Sequence, residues 1–82
     1  MTKKYLPVEK RIIAVLYSAN KALNTNRIAE LAEISRPTAL HYLQQLQETG
    51  VLNAGKYKNA VYWWIANSEI IDRTKYKQPV KV

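Results

Sequence analysis

The sequence contains no cysteine and only one histidine among its 82 residues. Disulfides and thiolate metal sites are therefore excluded, as is a metal site built from several histidines. No apolar run approaches the length of a membrane span, and the basic start of the chain leads into no apolar stretch typical of a signal peptide. We therefore expect a cytoplasmic protein with no membrane contact and no cofactor.

Acidic residues are also scarce, since 6 Asp and Glu stand against 13 Lys and Arg, for a formal net charge of +7. They are unevenly distributed, because Glu48 is the only carboxylate between residues 34 and 68. A small domain this basic is attracted to polyanions such as DNA, RNA or an acidic membrane surface. The separation of the carboxylates from one half of the chain is the electrostatic pattern that DNA binding requires.

The arrangements that carry catalysis are missing as well. The sequence shows no nucleophile beside a base, no pair of carboxylates at helical spacing in a cleft and no phosphate-binding loop, so neither an enzyme nor a small-molecule substrate is indicated. Hydrophobic residues make up 48% of the chain, enough for a folded core. We predict one domain over residues 1–82, with a basic N-terminal arm at 1–6 and a loose tail at 78–82.

Residues 35–50 form the stretch around which the rest is organised, and they predict a helix with both ends marked. Ser35 is a strong N-cap, Pro37 suits the first turn, and Gly50 suits the left-handed residue that ends a helix. The apolar residues recur at helical spacing and predict an inner face formed by Ala39, Leu43 and Leu46. The opposite face has no carboxylate and carries Arg36, Leu40, His41, Gln44 and Gln45.

Two further helices are predicted before this one. The first begins at Pro7 and has an inward stripe made of Val8, Ile12, Val15, Leu16 and Ala19. After a short connection, Thr25 is the predicted N-cap of the second, which turns Ile28, Leu31 and Ala32 inward. A tight turn at Glu33 and Ile34 then leads directly into the third helix, which predicts a helix-turn-helix.

Beyond Gly50 the period changes to that of strands. Residues 51–54 and 60–65 predict two strands joined by a turn at 55–59, with Val61, Trp63 and Ile65 on the core face. Tyr62 and Trp64 face the other way, where they either stack on bases or pack against a last helix or a second subunit. That last helix is predicted at residues 68–77.

The stretch IAELAEISRPTALHYLQQLQETGVL resembles the winged helix-turn-helix of transcription regulators, most closely the multiple-antibiotic-resistance and arsenic-repressor branches. Ile28 and Ala29 match the start of the motif, and Leu43, Leu46 and Gly50 match its ending, while Glu33 stands where glycine is frequent. The resemblance implies an α+β fold, mostly α, with a three-helix core, a β-hairpin wing and a C-terminal helix.

The resemblance also implies a way of docking on double-stranded DNA. The third helix would enter the major groove, and the hairpin would lie along the backbone or the minor groove. Carried over residue by residue, the DNA-contacting positions of the helix are Arg36, Pro37, Thr38, Leu40, His41 and Gln44. Those of the wing are Lys56, Tyr57 and Lys58.

Several of these positions have two interpretations. Arg36 either reads a guanine or is a solvated residue of the first turn, and Leu40 either meets a thymine methyl or packs under a neighbour. Lys56 and Lys58 either bind phosphates or only make the turn soluble. The whole domain is interpreted as a DNA-binding transcriptional regulator, the alternative being a winged helix for protein interaction, RNA binding or architectural coating of nucleic acid.

Apolar residues in excess of a small core indicate a homodimer. They lie on the predicted first and last helices, through which many regulators of this type dimerise, and they are Ile13, Tyr17, Ile70 and Ile71. A monomeric core that absorbs them is the alternative.

Overall fold

The computed structural model describes residues 5–66, which form helices packed on one face of a small antiparallel sheet. In chain order the elements are α1 (Pro7–Ala19), β1 (Leu23–Asn24), α2 (Thr25–Ala32), α3 (Arg36–Glu48), β2 (Leu52–Tyr57) and β3 (Ala60–Ile65). This is the predicted three-helix core with its β-hairpin wing. The predicted last helix at 68–77, with Ile70 and Ile71, lies outside the described residues, as do the first four residues of the arm.

Helix α1 begins at Pro7 as predicted, because proline has no amide hydrogen to lose at that position. The Glu9 carboxylate accepts a hydrogen bond of 2.9 Å from the Leu6 amide and satisfies one of the free donors of the first turn. Ile12 and Leu16 are buried, and the remaining residues of the predicted stripe are half-buried against them. The helix ends at Asn20, which is left-handed with φ 57°.

The N-cap of α2 is Asn24, so the prediction of Thr25 was wrong. The Asn24 side chain accepts a hydrogen bond of 2.7 Å from the Arg27 amide. Thr25 instead contributes to the core, because it is buried and its hydroxyl accepts a hydrogen bond of 2.9 Å from the indole nitrogen of Trp63. Asparagine caps a helix at least as well as threonine, so local sequence alone did not decide between the two neighbours.

The inward face of α2 also differs from the prediction at one position. Ile28, Ala29 and Ala32 are buried, whereas Leu31 is 44% exposed. Each residue advances a helix by about 100°, so Leu31 lies on the flank of Ile28 that faces away from Ala29. The core covers only the flank on which Ala29 lies.

The turn between α2 and α3 is as short as predicted. Glu33 is left-handed with φ 59°, the conformation that explains why glycine is frequent at this point of the motif. The Ile34 amide donates to the Ala29 carbonyl at 3.0 Å, and Ile34 packs against the core. Ser35 then caps α3 by accepting a hydrogen bond of 3.3 Å from the Thr38 amide, which confirms the predicted cap.

The end of α3 is a Schellman motif, as predicted from Gly50. Gly50 has φ 83°, its amide donates to the Gln47 carbonyl at 3.0 Å, and the Val51 amide donates to the Leu46 carbonyl at 3.0 Å. A side chain at Gly50 would meet no atom within 4 Å, so the glycine is required by its backbone conformation alone. The motif turns the chain from α3 into β2.

The hairpin is longer than the sequence predicts. The strands are ordered β1-β3-β2, and the pairing of β2 with β3 runs from Leu52 opposite Ile65 to Tyr57 opposite Ala60. The predicted turn at 55–59 is therefore a loop of two residues, Lys58 and Asn59. The sequence predicts that Gly55 and Asn59 supply the unusual backbone angles of the turn, but Gly55 is extended in the ladder, and Lys58 instead supplies the left-handed residue with φ 56°.

The core lies between the helices and one face of the sheet. Trp63 is fully buried there, with Val61 and Ile65 packed at its margin, as the alternation predicts. The other fully or nearly fully buried members are Ile12, Leu16, Ile28, Ala39, Leu43, Leu46, Leu52 and Ala54. Trp64 points to the opposite face of the sheet yet is only 5% exposed, so its ring is not available for stacking on a base.

We expect Thr25→Val to destabilise the fold without changing its shape. The substitution keeps the volume but removes the acceptor of the Trp63 indole, and an unsatisfied buried donor costs about 1–3 kcal/mol. In a domain of this size each kcal/mol lowers the melting temperature by roughly 4–8 °C. Thermal unfolding followed by circular dichroism measures the change.

Thr49→Val is the matched control. The Thr49 hydroxyl donates to the Leu46 carbonyl at 3.1 Å, and that carbonyl keeps the Val51 amide as a donor after the change. The control is therefore expected to melt close to the parent. Equal melting temperatures for Thr25→Val and Thr49→Val would contradict a structural role of the buried bond.

Candidate nucleic-acid interface

The outer face of α3 combines exposed and half-buried side chains. Arg36, Pro37, His41 and Gln45 are exposed, and Gln44 is half-buried. Leu40 is half-buried and packs against the core, which supports the second of its two interpretations. The helix therefore presents a polar, carboxylate-free surface over its first turns, with Glu48 at its far end.

Two of the predicted contact residues are held by their neighbours. The Ser35 hydroxyl donates to the Thr38 hydroxyl at 2.8 Å, so Thr38 takes part in the cap of the helix. The His41 and Tyr42 rings meet edge to face, with centroids 5.0 Å apart and an interplanar angle of 77°. This contact restrains the orientation of the exposed imidazole.

A groove of about 280 Å³ separates the start of α3 from the hairpin. Arg36 and Leu40 line one side, the chain from Asn59 to Val61 lines the other, and the start of α2 contributes Asn24, Thr25 and Asn26. None of these residues is acidic. The predicted reading helix and the hairpin thus adjoin each other around a groove of mixed polar and apolar lining that carries one cation.

Asn26 and Asn59 belong to this groove, although the sequence did not point to them. Both are exposed, one in the first turn of α2 and the other in the loop of the hairpin. The only signal in the sequence was their amide side chains, which are equally frequent in ordinary caps and turns. Their joint position depends on the packing of the hairpin against α2.

The wing carries two exposed lysines beside a pair of aromatic rings. Lys56 and Lys58 are exposed, and Tyr57 between them is half-buried. The Tyr57 ring meets Tyr62 edge to face, with centroids 6.1 Å apart and an interplanar angle of 71°. The Lys58 ammonium lies 5.5 Å from the centroid of the Tyr57 ring. The three predicted wing residues are therefore together at the tip of the hairpin.

Of the acidic residues at positions 5–66, only Glu48 lies on α3 or the wing, and Glu33 is exposed in the turn just before Arg36. Glu9 caps α1, and Glu30 forms an exposed ion pair of 3.6 Å with Arg27 on α2. An exposed pair of this kind adds little to stability but balances the charge of that arginine. Arg36, Lys56 and Lys58 are therefore the cations of the surface formed by α3 and the wing.

Neither a metal centre nor a membrane-spanning helix is found in the described part of the chain. Residues 5–66 bring together no group of three or more His, Cys, Asp or Glu side chains that could hold a metal ion. None of the helices in that range has the length and apolar character needed to cross a membrane.

Comparison with protein families and solved structures agrees with this architecture. The model of the IclR helix-turn-helix domain matches residues 11–54, slightly more than half of the 82 residues. No curated protein sequence gives a significant match. The matched range contains the helix-turn-helix and the first residues of the hairpin.

Two solved structures share the fold. The zinc-responsive MarR family member ZitR of Lactococcus lactis is 23% identical, with a TM-score of 0.71 over 82% of this chain and 47% of that chain. A single-residue mutant of L. lactis ZitR in complex with DNA is 22% identical, with a TM-score of 0.68 over 78% of this chain and 44% of that chain. The chain therefore spans about half the length of these proteins.

The predicted winged helix-turn-helix is thus confirmed by its elements, by a family model and by structures of a MarR family protein. Of the two branches that the sequence resembles, the multiple-antibiotic-resistance branch is represented among the solved structures. The chain belongs to the IclR helix-turn-helix domain family, and its fold is that of DNA-binding transcription regulators.

Proposed function

We propose that this chain is a DNA-binding transcriptional regulator that inserts α3 into the major groove and lays its hairpin on the backbone or minor groove. The observation that carries the proposal is the surface on which the start of α3 and the wing adjoin. Arg36, Lys56 and Lys58 are exposed on these two elements, and Glu48, the only carboxylate on either element, lies at the end of α3 opposite Arg36. DNA phosphates attract such a surface independently of sequence.

Helix α3 is suited to reading a groove because the core holds it in one orientation. Its inner residues Ala39 and Leu43 are fully buried, and Leu46 is nearly so. Both ends are capped, by Ser35 at the start and by the Schellman motif at the end. A helix fixed in rotation and length presents the same side chains to every duplex, which sequence discrimination requires.

Arg36 is the residue with the chemistry to carry most of the discrimination. It is the first residue of α3, where the helix dipole disfavours a cation, so a nearby base or phosphate accounts for its presence. Its guanidinium has the fork geometry that matches guanine O6 and N7. Thr38 serves the cap and Leu40 packs partly against the core, so His41 and Gln44 are the next candidates for base contacts.

We extend the proposal to a homodimer because apolar side chains are exposed on α1 and α2. Tyr17 is 79% exposed on α1, and Leu31 adds apolar surface at 44% exposure on α2. Between the two helices lies a shallow, mainly apolar groove of about 430 Å³ lined by Ala14, Val15, Ser18, Ala19 and Leu31. Ile13 is half-buried against the core, so Tyr17 is the better exposed of the two predicted α1 residues. In a two-fold dimer, the exposed face of α1 around Tyr17 would pack against its own copy, and the groove, which Tyr17 does not line, adds apolar surface on the same helix.

Replacing Arg36 by alanine is expected to weaken binding most at the preferred site. A good bidentate contact is worth about 1–3 kcal/mol of discrimination, so the preferred duplex should lose roughly 5- to 150-fold and the preference at one base pair should relax. Unrelated DNA should lose much less. Site selection from random duplexes followed by fluorescence anisotropy measures both effects, with Arg11→Ala, an exposed arginine of α1, as the charge-matched control.

Equal losses on preferred and unrelated DNA would make Arg36 a phosphate contact and leave sequence preference to His41 and Gln44. A parent protein without any duplex binding at physiological salt would refute the proposed function in favour of a protein-interaction module. Tighter binding to RNA than to duplex DNA would favour the RNA-binding alternative.

Removing both wing lysines is expected to weaken binding to all duplexes alike. Each phosphate neutralised adds about −0.9 to the slope of log K against log salt concentration, so Lys56→Ala with Lys58→Ala should flatten the slope by up to roughly 1.8. Lys10→Ala with Lys21→Ala removes the same charge from exposed positions on and after α1 and serves as control. An identical slope in the wing variant and the parent would rule out phosphate binding by the wing.

Sedimentation velocity is expected to show a dimer of the parent at micromolar concentration. Tyr17→Glu places a charge in the exposed apolar surface and should yield a monomer with the circular dichroism spectrum of the parent, because Tyr17 contributes little to the core at 79% exposure. Gln45→Glu adds the same charge at an exposed position of α3, outside the surface on α1 and α2, and should remain dimeric. A parent that sediments as a monomer would refute the dimer.

A further inference from the structure

The loop of the wing places a lysine where the backbone favours glycine. Lys58 has φ 56°, and with Asn59 it forms the entire connection between two strands that pair up to Tyr57 and Ala60. A left-handed residue with a side chain is strained, and glycine, asparagine or aspartate usually occupies such a position. Asn59 follows directly, yet the left-handed position is occupied by Lys58 and not by the asparagine, which would be less strained there.

The side chain of this lysine is held as well as its backbone. Its ammonium lies 5.5 Å from the centroid of the Tyr57 ring, within the range of a cation–π interaction. Tyr57 is held in turn by Tyr62, which lies diagonally across the hairpin on the same face and meets it edge to face at 6.1 Å. Gly55 is directly opposite Tyr62 and brings no side chain to that face.

We propose that the wing tip is a preorganised phosphate clamp in which Tyr57 is a positioning residue for Lys58. The proposal rests on the DNA binding proposed above and adds how the wing makes its contact. An unrestrained lysine loses rotamer freedom when it binds, whereas an ammonium already held over a ring loses less. Backbone strain kept at a binding tip is the feature expected of such preorganisation.

A loop that only keeps the hairpin soluble would lack these features. Solubility requires an exposed charge, but neither a left-handed backbone at the charged residue nor an aromatic ring beneath its ammonium. Lys56 provides the comparison, because it is also exposed and lies in the β2–β3 ladder opposite Val61, where its backbone is extended. The two lysines therefore carry the same charge in differently constrained settings.

The geometry is tested first without DNA. In the parent, ring current from Tyr57 is expected to move the Lys58 ε-methylene proton resonances upfield of those of Lys56 in an NMR spectrum. The separation should persist in Tyr57→Phe and disappear in Tyr57→Leu. Coincident Lys56 and Lys58 resonances in the parent would overturn the proposal.

A double-mutant cycle then tests the role in binding. Tyr57→Leu is expected to weaken binding to preferred and random duplexes by the same factor, roughly two- to fivefold for a cation–π contact at an exposed site. In a Lys58→Ala background the same change should have no further effect, because the lysine that Tyr57 positions is gone. Tyr57→Phe keeps the ring and should bind like the parent.

The strain is tested by comparing two replacements of the lysine. Lys58→Gly and Lys58→Ala should weaken DNA binding equally, because both remove the ammonium. Lys58→Gly should melt at a higher temperature than Lys58→Ala, since only glycine adopts φ 56° without strain. A glycine variant that melts at or below the alanine variant would contradict the strained loop.

The outcomes separate this inference from the function on which it depends. Additive effects of Tyr57→Leu and Lys58→Ala, or a Tyr57→Phe variant as weak as Tyr57→Leu, would overturn the positioning role while DNA binding stands. A parent that binds no duplex, or binds without salt dependence, would overturn the proposed function and this inference together. Circular dichroism of each variant separates these losses from unfolding.

Discussion

The hydrogen bond between the Trp63 indole and the Thr25 hydroxyl connects the two halves of the fold. It is 2.9 Å long and buried, and it joins β3 of the hairpin to the first residue of α2. Trp63 also pairs with Leu23 in β1 and with Ala54 in β2. Separating the two side chains would leave the buried indole N–H without an acceptor, which costs free energy. The contact therefore holds the wing in one position relative to the helix-turn-helix.

Because of that fixed position, α3 and the hairpin border one groove. Arg36 begins α3, Lys58 lies at the hairpin tip, and the groove beside them is lined by residues of α2, α3 and the hairpin. The groove could not keep its shape if the hairpin moved independently. Rigid elements therefore position the exposed cations of the surface that we propose for DNA.

Left-handed residues with side chains mark the points where the chain changes direction. Asn20 ends α1 and Glu33 ends α2, and both conformations allow connections of only a few residues to the next element. Lys58 differs because it ends no helix and lies at an exposed tip. Asparagine tolerates this conformation well, but glutamate and lysine do not, so the fold stores a small strain at the turn of the motif and at the wing.

The sequence by itself determined the order of elements, the caps at Ser35 and Gly50, and the inner faces of α1, α3 and β3, because hydrophobic period and local cap chemistry act within a few residues. Charge distribution alone also pointed to Arg36, Lys56 and Lys58, the cations of the surface that we propose for DNA. Only the tertiary structure decided that Asn24 caps α2 while Thr25 binds Trp63, that Leu31 is exposed and that Leu40 packs partly against the core. These outcomes depend on partners far away in the chain, since Thr25 and Trp63 are 38 residues apart, and no local pattern records them.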